Sequence, residues 1–423
     1  MSWPASLRHR TLILALLLAA VAAAFRLPRL AIPQEEVFDE VYHAKTALQY
    51  LKGEPPAEWV HPPVAKLLIA AGIRCFGYES WAWRLVPALA GIALAPVFFL
   101  LARRVLPSER AALLASALLL ADGVYLVQSR IAMTNIFAVL FQVGAAYFVV
   151  TAVLAPRLPI SRMLAAGLSL GLALSTRWTS LWAAGFLGLV LVAVRRQRLL
   201  RPREALLAAL AFLLLPAGLY LASYWPLVYL RGGLEPWQHS LPALWDLQRE
   251  VWSYHSNLNA THPYFSKWYS WPWLYRPTWY HFKSEGGFVR GIVAIGNPAL
   301  WWASVPVTVW ALLSGLKARD PRRLFCAFGF LCLYLPWGIA PRTLNYNHYL
   351  FEAIPYACLS LGLLLDRHWK GLLAPLAQGY LALVLVLFLF FLPFLAALPI
   401  PEKWYFLDLW NGVRPWTWFR TWV

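Results

Sequence analysis

Eleven apolar stretches of membrane-spanning length recur along this chain, and they leave few folds open. They run over 11–27, 85–105, 111–129, 132–154, 161–176, 178–195, 205–230, 298–315, 323–340, 346–365 and 373–397, with 161–176 the weakest. A hydrocarbon core about 30 Å thick takes roughly 20 residues of helix, and buried backbone in lipid has to satisfy its own hydrogen bonds. The expectation is an all-α polytopic bundle of about 11 transmembrane helices. Composition agrees: 61% of residues are hydrophobic and 13% charged, with a mean hydropathy of +0.56, which excludes a water-soluble globule. The net charge of +18 does not point to nucleic acid, because the arginines sit in short gaps between apolar runs rather than in a basic domain.

Those gaps orient the bundle. Alternate loops hold Arg8 and Arg10; Arg103, Arg104 and Arg110; Arg157 and Arg162; Arg195, Arg196, Arg198, Arg201 and Arg203; Lys317, Arg319, Arg322 and Arg323; and Arg367 and Lys370. These 18 cations face only Glu109, Glu204, Asp320 and Asp366, so this side is expected to be cytoplasmic, with the N-terminus on it. Residues 1–27 lack an A-x-A-like cleavage site before Pro28 and Pro33, and read as an uncleaved first span. The expected organisation is a seven-span region (1–230) whose first outer loop is 28–84, a long outer loop (231–297), and a four-span region with an outer tail (298–423). Cys75, Cys326, Cys332 and Cys358 suggest neither a disulfide framework nor a metal knuckle.

The first outer loop carries the densest chemistry. Glu35, Glu36, Asp39 and Glu40 fall within six positions, followed by His43 and Lys45. Read as one helix, Glu36, Asp39, Glu40 and His43 share a face. Charge held at a membrane surface is costly and is more readily retained for chemistry than for folding. Asp39 and Glu40, as sequence neighbours, point about 100° apart on a helix and do not suit a shared-proton dyad. One of them suits a general base taking a hydroxyl proton, the other positioning; an acidic helix cap is the plainer alternative. His43 could orient Asp39, although a lone interfacial histidine is more often simply solvated.

Cations recur at the same membrane side. Lys66 follows His61-Pro62-Pro63, Arg84 opens the second span, Arg130 ends the third, Arg177 lies between the fifth and sixth, and Arg342 and His348 precede the tenth. Each alone reads as snorkelling toward headgroups. Together, beside an acidic loop, they point to an anion site, most naturally a lipid-linked phosphate. No H-x-x-x-H or comparable ligand cluster is visible, so no metal and no cofactor are expected. The long loop, dense in Trp, Tyr, His and Pro, suits an interfacial belt or a groove for a sugar or extended chain.

The runs FDEVYHAK, VHPPVAKLL and WRLVPALAG, then THPYFSKWYSWPWLYRPTWY, GNPALWW, LYLPW and RTLNYNHYLFEAIP, occur in one order from Phe38 to the WTWFRTW tail. This set resembles the protein O-mannosyltransferases, membrane enzymes that use dolichyl- or polyprenyl-phosphate-mannose. The resemblance implies an inverting glycosyltransferase of the GT-C fold in the cell membrane, with its active site and C-terminus on the outer face. It implies a lipid-linked sugar donor as co-substrate, a Ser/Thr-containing polypeptide acceptor, contact with membrane lipid, and a dimer as one assembly state. By the same resemblance Asp39 is the catalytic base and Glu40 a substrate-positioning acid. Arg84, Arg342 and His348 match family motifs associated with activity or the donor phosphate, and Arg177 and Lys66 join that group as nearby cations. His61, His262, Tyr264, Ser266, Trp268 and Trp271 form the expected acceptor or sugar groove. The 231–297 loop is too short for the MIR domain that eukaryotic members carry there, so the chain resembles the compact bacterial form; it departs from the family pattern in Asn135, where an acid is expected, and in Arg177, where lysine is common.

Physics is compatible with that assignment. A phosphate leaving group needs cationic neutralisation more than a general acid, and adjacent acids are not the opposed pair that retaining chemistry requires. Two other readings compete: a polyprenyl-phosphate-sugar transferase acting on a glycolipid or cell-wall polymer, and a transporter. The motif from His262 to Pro272 argues against the first. The collection of ionisable groups at one membrane face, with Asp122 and Glu352 as exceptions, argues against the second.

Overall fold

The computed structural model describes residues 5–196, 201–227, 236–258 and 260–422. Arg198, the end of the expected span 205–230 and the start of the 231–297 loop lie outside the described residues. The bundle is helical, as expected, and the described part of each apolar stretch is largely helical. Six helices among the described residues are long and apolar enough to cross a membrane by themselves: His9–Arg26, Ser80–Val105, Asn135–Val153, Pro202–Leu227, Pro298–Ala318 and Ala374–Leu395.

Helix α1 (Ala5–Arg26) ends where Arg130 reaches it. That guanidinium donates to the carbonyls of Phe25, Arg26 and Pro28 at 2.8–2.9 Å, satisfying the last turn and opposing the helix dipole. Two short outer helices follow, α2 (Glu40–Lys52) and α3 (Val64–Phe76), before the span α4 (Ser80–Val105). Gly53 ends α2 in the left-handed region, where its missing Cβ removes the strain. The third apolar run is broken into α5 (Glu109–Leu120) and α6 (Gly123–Gln128), because the Asp122 carboxylate caps α6 by accepting from Tyr125 N at 2.8 Å. The spans α7 (Asn135–Val153), α8 (Ile160–Leu174) and α9 (Ser180–Arg195) complete the inner group.

Several of the residues expected on the cytoplasmic side meet at one end of the bundle. Arg10 and Arg103 pair with Glu109, and Arg110 and Ser108 meet Asp366. The opposite end carries the acidic loop and a small sheet that the all-helical expectation lacked. Strands β1 (Thr278–Glu285) and β2 (Phe288–Ala294) pair antiparallel, with Ile400–Pro401 adding a third short strand. Gly286 and Gly287 make the tight turn, both at positive φ, as a two-residue hairpin demands. The tail closes over this layer: Trp279 Nε1 donates to Trp422 O at 2.7 Å, and Trp422 Nε1 donates to Leu274 O at 2.6 Å.

Candidate active site

One cavity of about 610 Å³ opens at this end, walled by the acidic loop, the segment around Asn135 and Arg177, and the stretch Arg342–Tyr349. Asp39 reaches it because α2 starts one residue later than that carboxylate. Phe38 sits at φ +50, a left-handed conformation a bulky residue adopts only under constraint, and stacks on Tyr280 at 4.2 Å. The kink turns Asp39 into the cavity. It also means that Glu36, Asp39, Glu40 and His43 do not share one helical face. Glu36 lies outside α2 and pairs with the Tyr78 hydroxyl.

Glu40 points the other way. It is fully buried, accepting from Val37 N at 3.0 Å, Ala132 N at 2.8 Å, and Arg84 through Nε at 2.9 Å and a terminal nitrogen at 2.7 Å. Arg84 also donates to the carbonyls of Leu30, Pro33 and Glu35. The expectation that Arg84 binds phosphate is therefore corrected. Its fork is occupied by a carboxylate and the loop backbone, and it does not line the cavity. Glu40 likewise positions the loop that carries Asp39 and does not touch the cavity.

Lys66 is corrected on the same grounds. It is buried behind the wall, donating to Glu58 O at 3.1 Å and His61 O at 2.9 Å and pairing with the Glu58 carboxylate. Glu58 was missed in the sequence because it lies in a proline-rich turn with no helical spacing to mark it. Burial would push its proton affinity up, but Lys66 and His61 outweigh that and hold its pKa well below the carboxylate range. Burial lowers His61 to about 3 against the pull of Glu58, so this ring is neutral.

Two of the expected phosphate cations do face the cavity. Arg177 is anchored by Glu352 at 3.3 Å and donates to Thr134 Oγ1 at 3.3 Å and Asn135 Oδ1 at 3.1 Å. Glu352 is itself fixed by Gln142 and Thr179. Arg342 donates to Leu344 O at 2.8 Å and to His255 Nδ1 at 3.3 Å, and both guanidiniums approach the Tyr349 ring, at 5.1 and 6.0 Å. His255, which sequence reasoning also missed, accepts from Arg342 because its Nε2–H is committed to Val60 O. His348, His61 and His262 also line the cavity.

The rest of the expected groove does not. Trp271 is fully buried and donates to Ser266 O at 3.1 Å, Trp268 packs on Tyr334, and Tyr264 tilts against His262. Ser266 N donates to Asn345 O at 3.0 Å. Tyr264, Ser266, Trp268 and Trp271 thus tie the loop of His262 to the stretch of Arg342 from outside the cavity wall. Conversely, His43 is not solvated but buried, its Nδ1 donating to Ala132 O at 2.9 Å. It lies with Glu58 and His61 in a cluster whose potential ligand atoms fall within 4.8 Å of one another, a grouping the linear sequence hid.

Asp39 is the one acid of the cavity with no hydrogen bond to its carboxylate among the described residues. Burial, and to a smaller extent the nearby Glu58, raise its pKa, while His43, Arg342 and Arg177 pull the other way, so an ionisable group shares the cavity with the two arginines. The cavity's other acid, Glu58, is held by Lys66 and His61, and a free carboxylate opposed by cations suits single displacement at a carbon bearing an anionic leaving group.

Solved structures share this architecture. The protein O-mannosyltransferase Pmt1-Pmt2 complex of S. cerevisiae, bound to the sugar donor, superposes with a TM-score of 0.83 at 15% identity over 98% of this chain and 93% of that one. ArnT from Cupriavidus metallidurans, bound to undecaprenyl phosphate, gives 0.56 at 19% identity over 90% and 74%. The fold is that of the GT-C membrane glycosyltransferases. The sequence narrows it further. Models of the dolichyl-phosphate-mannose-protein mannosyltransferase family match residues 16–80 and 60–220, and the C-terminal four-span region of protein O-mannosyltransferase matches 240–422. The polyprenol-phosphate-mannose–protein mannosyltransferase of Mycolicibacterium smegmatis is 30% identical over 93% of this chain and 91% of its own length, and that of Mycobacterium tuberculosis 28% over 93% and 89%. The chain belongs to the protein O-mannosyltransferase family.

Proposed function

We propose that this glycosyltransferase moves mannose from polyprenyl-phosphate-mannose to Ser or Thr hydroxyls of polypeptides, with inversion, at the cavity holding Asp39. The observation that carries the reading is that Asp39, Arg177 and Arg342 line one cavity of about 610 Å³, a space large enough for a sugar phosphate and a side chain. Arg177 and Arg342 hold the donor phosphate. The acceptor oxygen attacks the anomeric carbon as its proton passes to Asp39. The bond to the phosphate oxygen breaks, and its electron pair leaves with the phosphate as a monoester neutralised by the arginines. The N-terminus and the arginine-rich end face the cytoplasm, and the cavity opens on the outer side, where secreted chains are met.

Purified protein incubated with radiolabelled polyprenyl-phosphate-mannose and a threonine-containing peptide should yield labelled peptide. Label appearing only on added lipid acceptors would replace this reading with the glycolipid one. Arg342→Ala should weaken donor binding about 10- to 100-fold, the loss of one charge-assisted hydrogen bond. An unchanged donor KM would remove Arg342 from the phosphate site. Because burial raises the pKa of Asp39, and only its ionised form accepts a proton, turnover should fall on acidification at a pH above the ordinary aspartate value of about 3.9. A kcat/KM profile flat down to that value contradicts the assignment.

A further inference from the structure

The transfer reaction leaves His43, Glu58 and His61 without a part, although all three line the cavity beside Asp39. They come from different places: His43 from the second turn of α2, Glu58 and His61 from the proline-rich turn before α3. Their potential ligand atoms lie within 4.8 Å of one another. His61 Nδ1 stands 3.0 Å from Glu58 Oε1. Two ligands of one tetrahedral zinc, with bonds of about 2.1 Å, stand roughly 3.4 Å apart, so this pair is nearly at chelating distance already. A shift of the His61 proton to Nε2 frees Nδ1. On His43 the Nδ1–H is committed to Ala132 O, which fixes the tautomer and leaves Nε2 as a lone pair, the arrangement a ligating histidine requires. Lys66 holds the other Glu58 oxygen from behind the wall and does not reach the cavity, so it orients the carboxylate without filling the site.

We infer that His43, Glu58 and His61 form a binding site for one divalent transition-metal ion, with an open coordination position toward the cavity. Two imidazoles and one carboxylate select Zn²⁺ or Co²⁺ over Mg²⁺ and Ca²⁺, which take oxygen ligands. The adjoining ammonium makes the site weaker than a closed structural zinc site.

Full-length protein, purified in detergent and stripped with a chelator, tests this by calorimetric titration with Zn²⁺ and Mg²⁺. One Zn²⁺ should bind per chain while Mg²⁺ stays silent, and His43→Gln and His61→Gln should each weaken Zn²⁺ binding at least about tenfold. Zinc-edge X-ray absorption on the wild-type chain should report imidazole nitrogen in the first shell, a measurement that needs no variant to fold. No saturable Zn²⁺ binding, an oxygen-only shell, or undiminished binding in both variants overturns the site. Binding is read without sugar transfer, so failure here leaves the role of Asp39 standing, and a zinc-binding chain that transfers no sugar overturns only the transfer reading.

Discussion

Asp39→Asn should abolish mannosyl transfer while leaving the chain folded and able to bind donor. The amide keeps the shape of the carboxylate but cannot take the acceptor proton, and removing a general base costs about 10²- to 10⁴-fold in turnover. Stability should not suffer. A carboxylate whose folded-state pKa is raised above its unfolded value is ionised at neutral pH at the expense of the folded state, and that cost vanishes as pH falls below the unfolded pKa. The neutral amide removes the cost at every pH, so the variant should melt at the same temperature as the wild type or slightly above it. Donor affinity and thermal unfolding measured beside turnover separate the outcomes: near wild-type turnover would exclude Asp39 as the base, and a collapse in melting temperature would make it a structural acid.

Arg84→Ala should act in the opposite manner, through folding. It leaves Glu40 as a buried charge with only two backbone donors and strands the carbonyls of Leu30, Pro33 and Glu35. Breaking one side of a buried ion pair costs about 3–5 kcal/mol. Arg84→Lys should recover only part of this, because an ammonium cannot reproduce the two-pronged contact. Thermal unfolding in detergent is the measurement. Unchanged melting together with a raised donor KM would return Arg84 to the phosphate site.

These two residues also mark how far the sequence could be read. The apolar stretches carry their own length signal, so the bundle was legible, and the break at Asp122 was not, since a single capping acid inside an apolar run changes the average hydropathy little. Asp39, Arg177, Arg342, His348, His61 and His262, expected as base, phosphate ligands and groove, all line one cavity, because charged and polar residues gathered at one membrane end are drawn to the solvent-filled space there. Arg84 and Lys66 were placed wrongly because a sequence displays a cation without displaying its counter-ion. Both partners, Glu40 and Glu58, come from the first outer loop, whose charge suggests chemistry or a helix cap before it suggests counter-ions. The aromatic motif around Trp268 and Trp271 signals tight packing as readily as ligand contact, and here it packs. Glu58 and His255 needed the tertiary fold, since neither lies at a spacing that links it to Lys66 or Arg342.

Two guanidiniums grip the short link between α1 and α2, Arg130 on the end of the first span and Arg84 on the residues just before Asp39, and Ser80 and Tyr78 add side-chain contacts to Ala31 and Glu36. That first span is mostly bare to lipid, with 22% of its apolar window buried. Acyl chains longer or shorter than the helix change its tilt, and the link that leaves this helix is the one that carries Asp39. Bilayer thickness therefore bears, through this link, on the segment that holds Asp39.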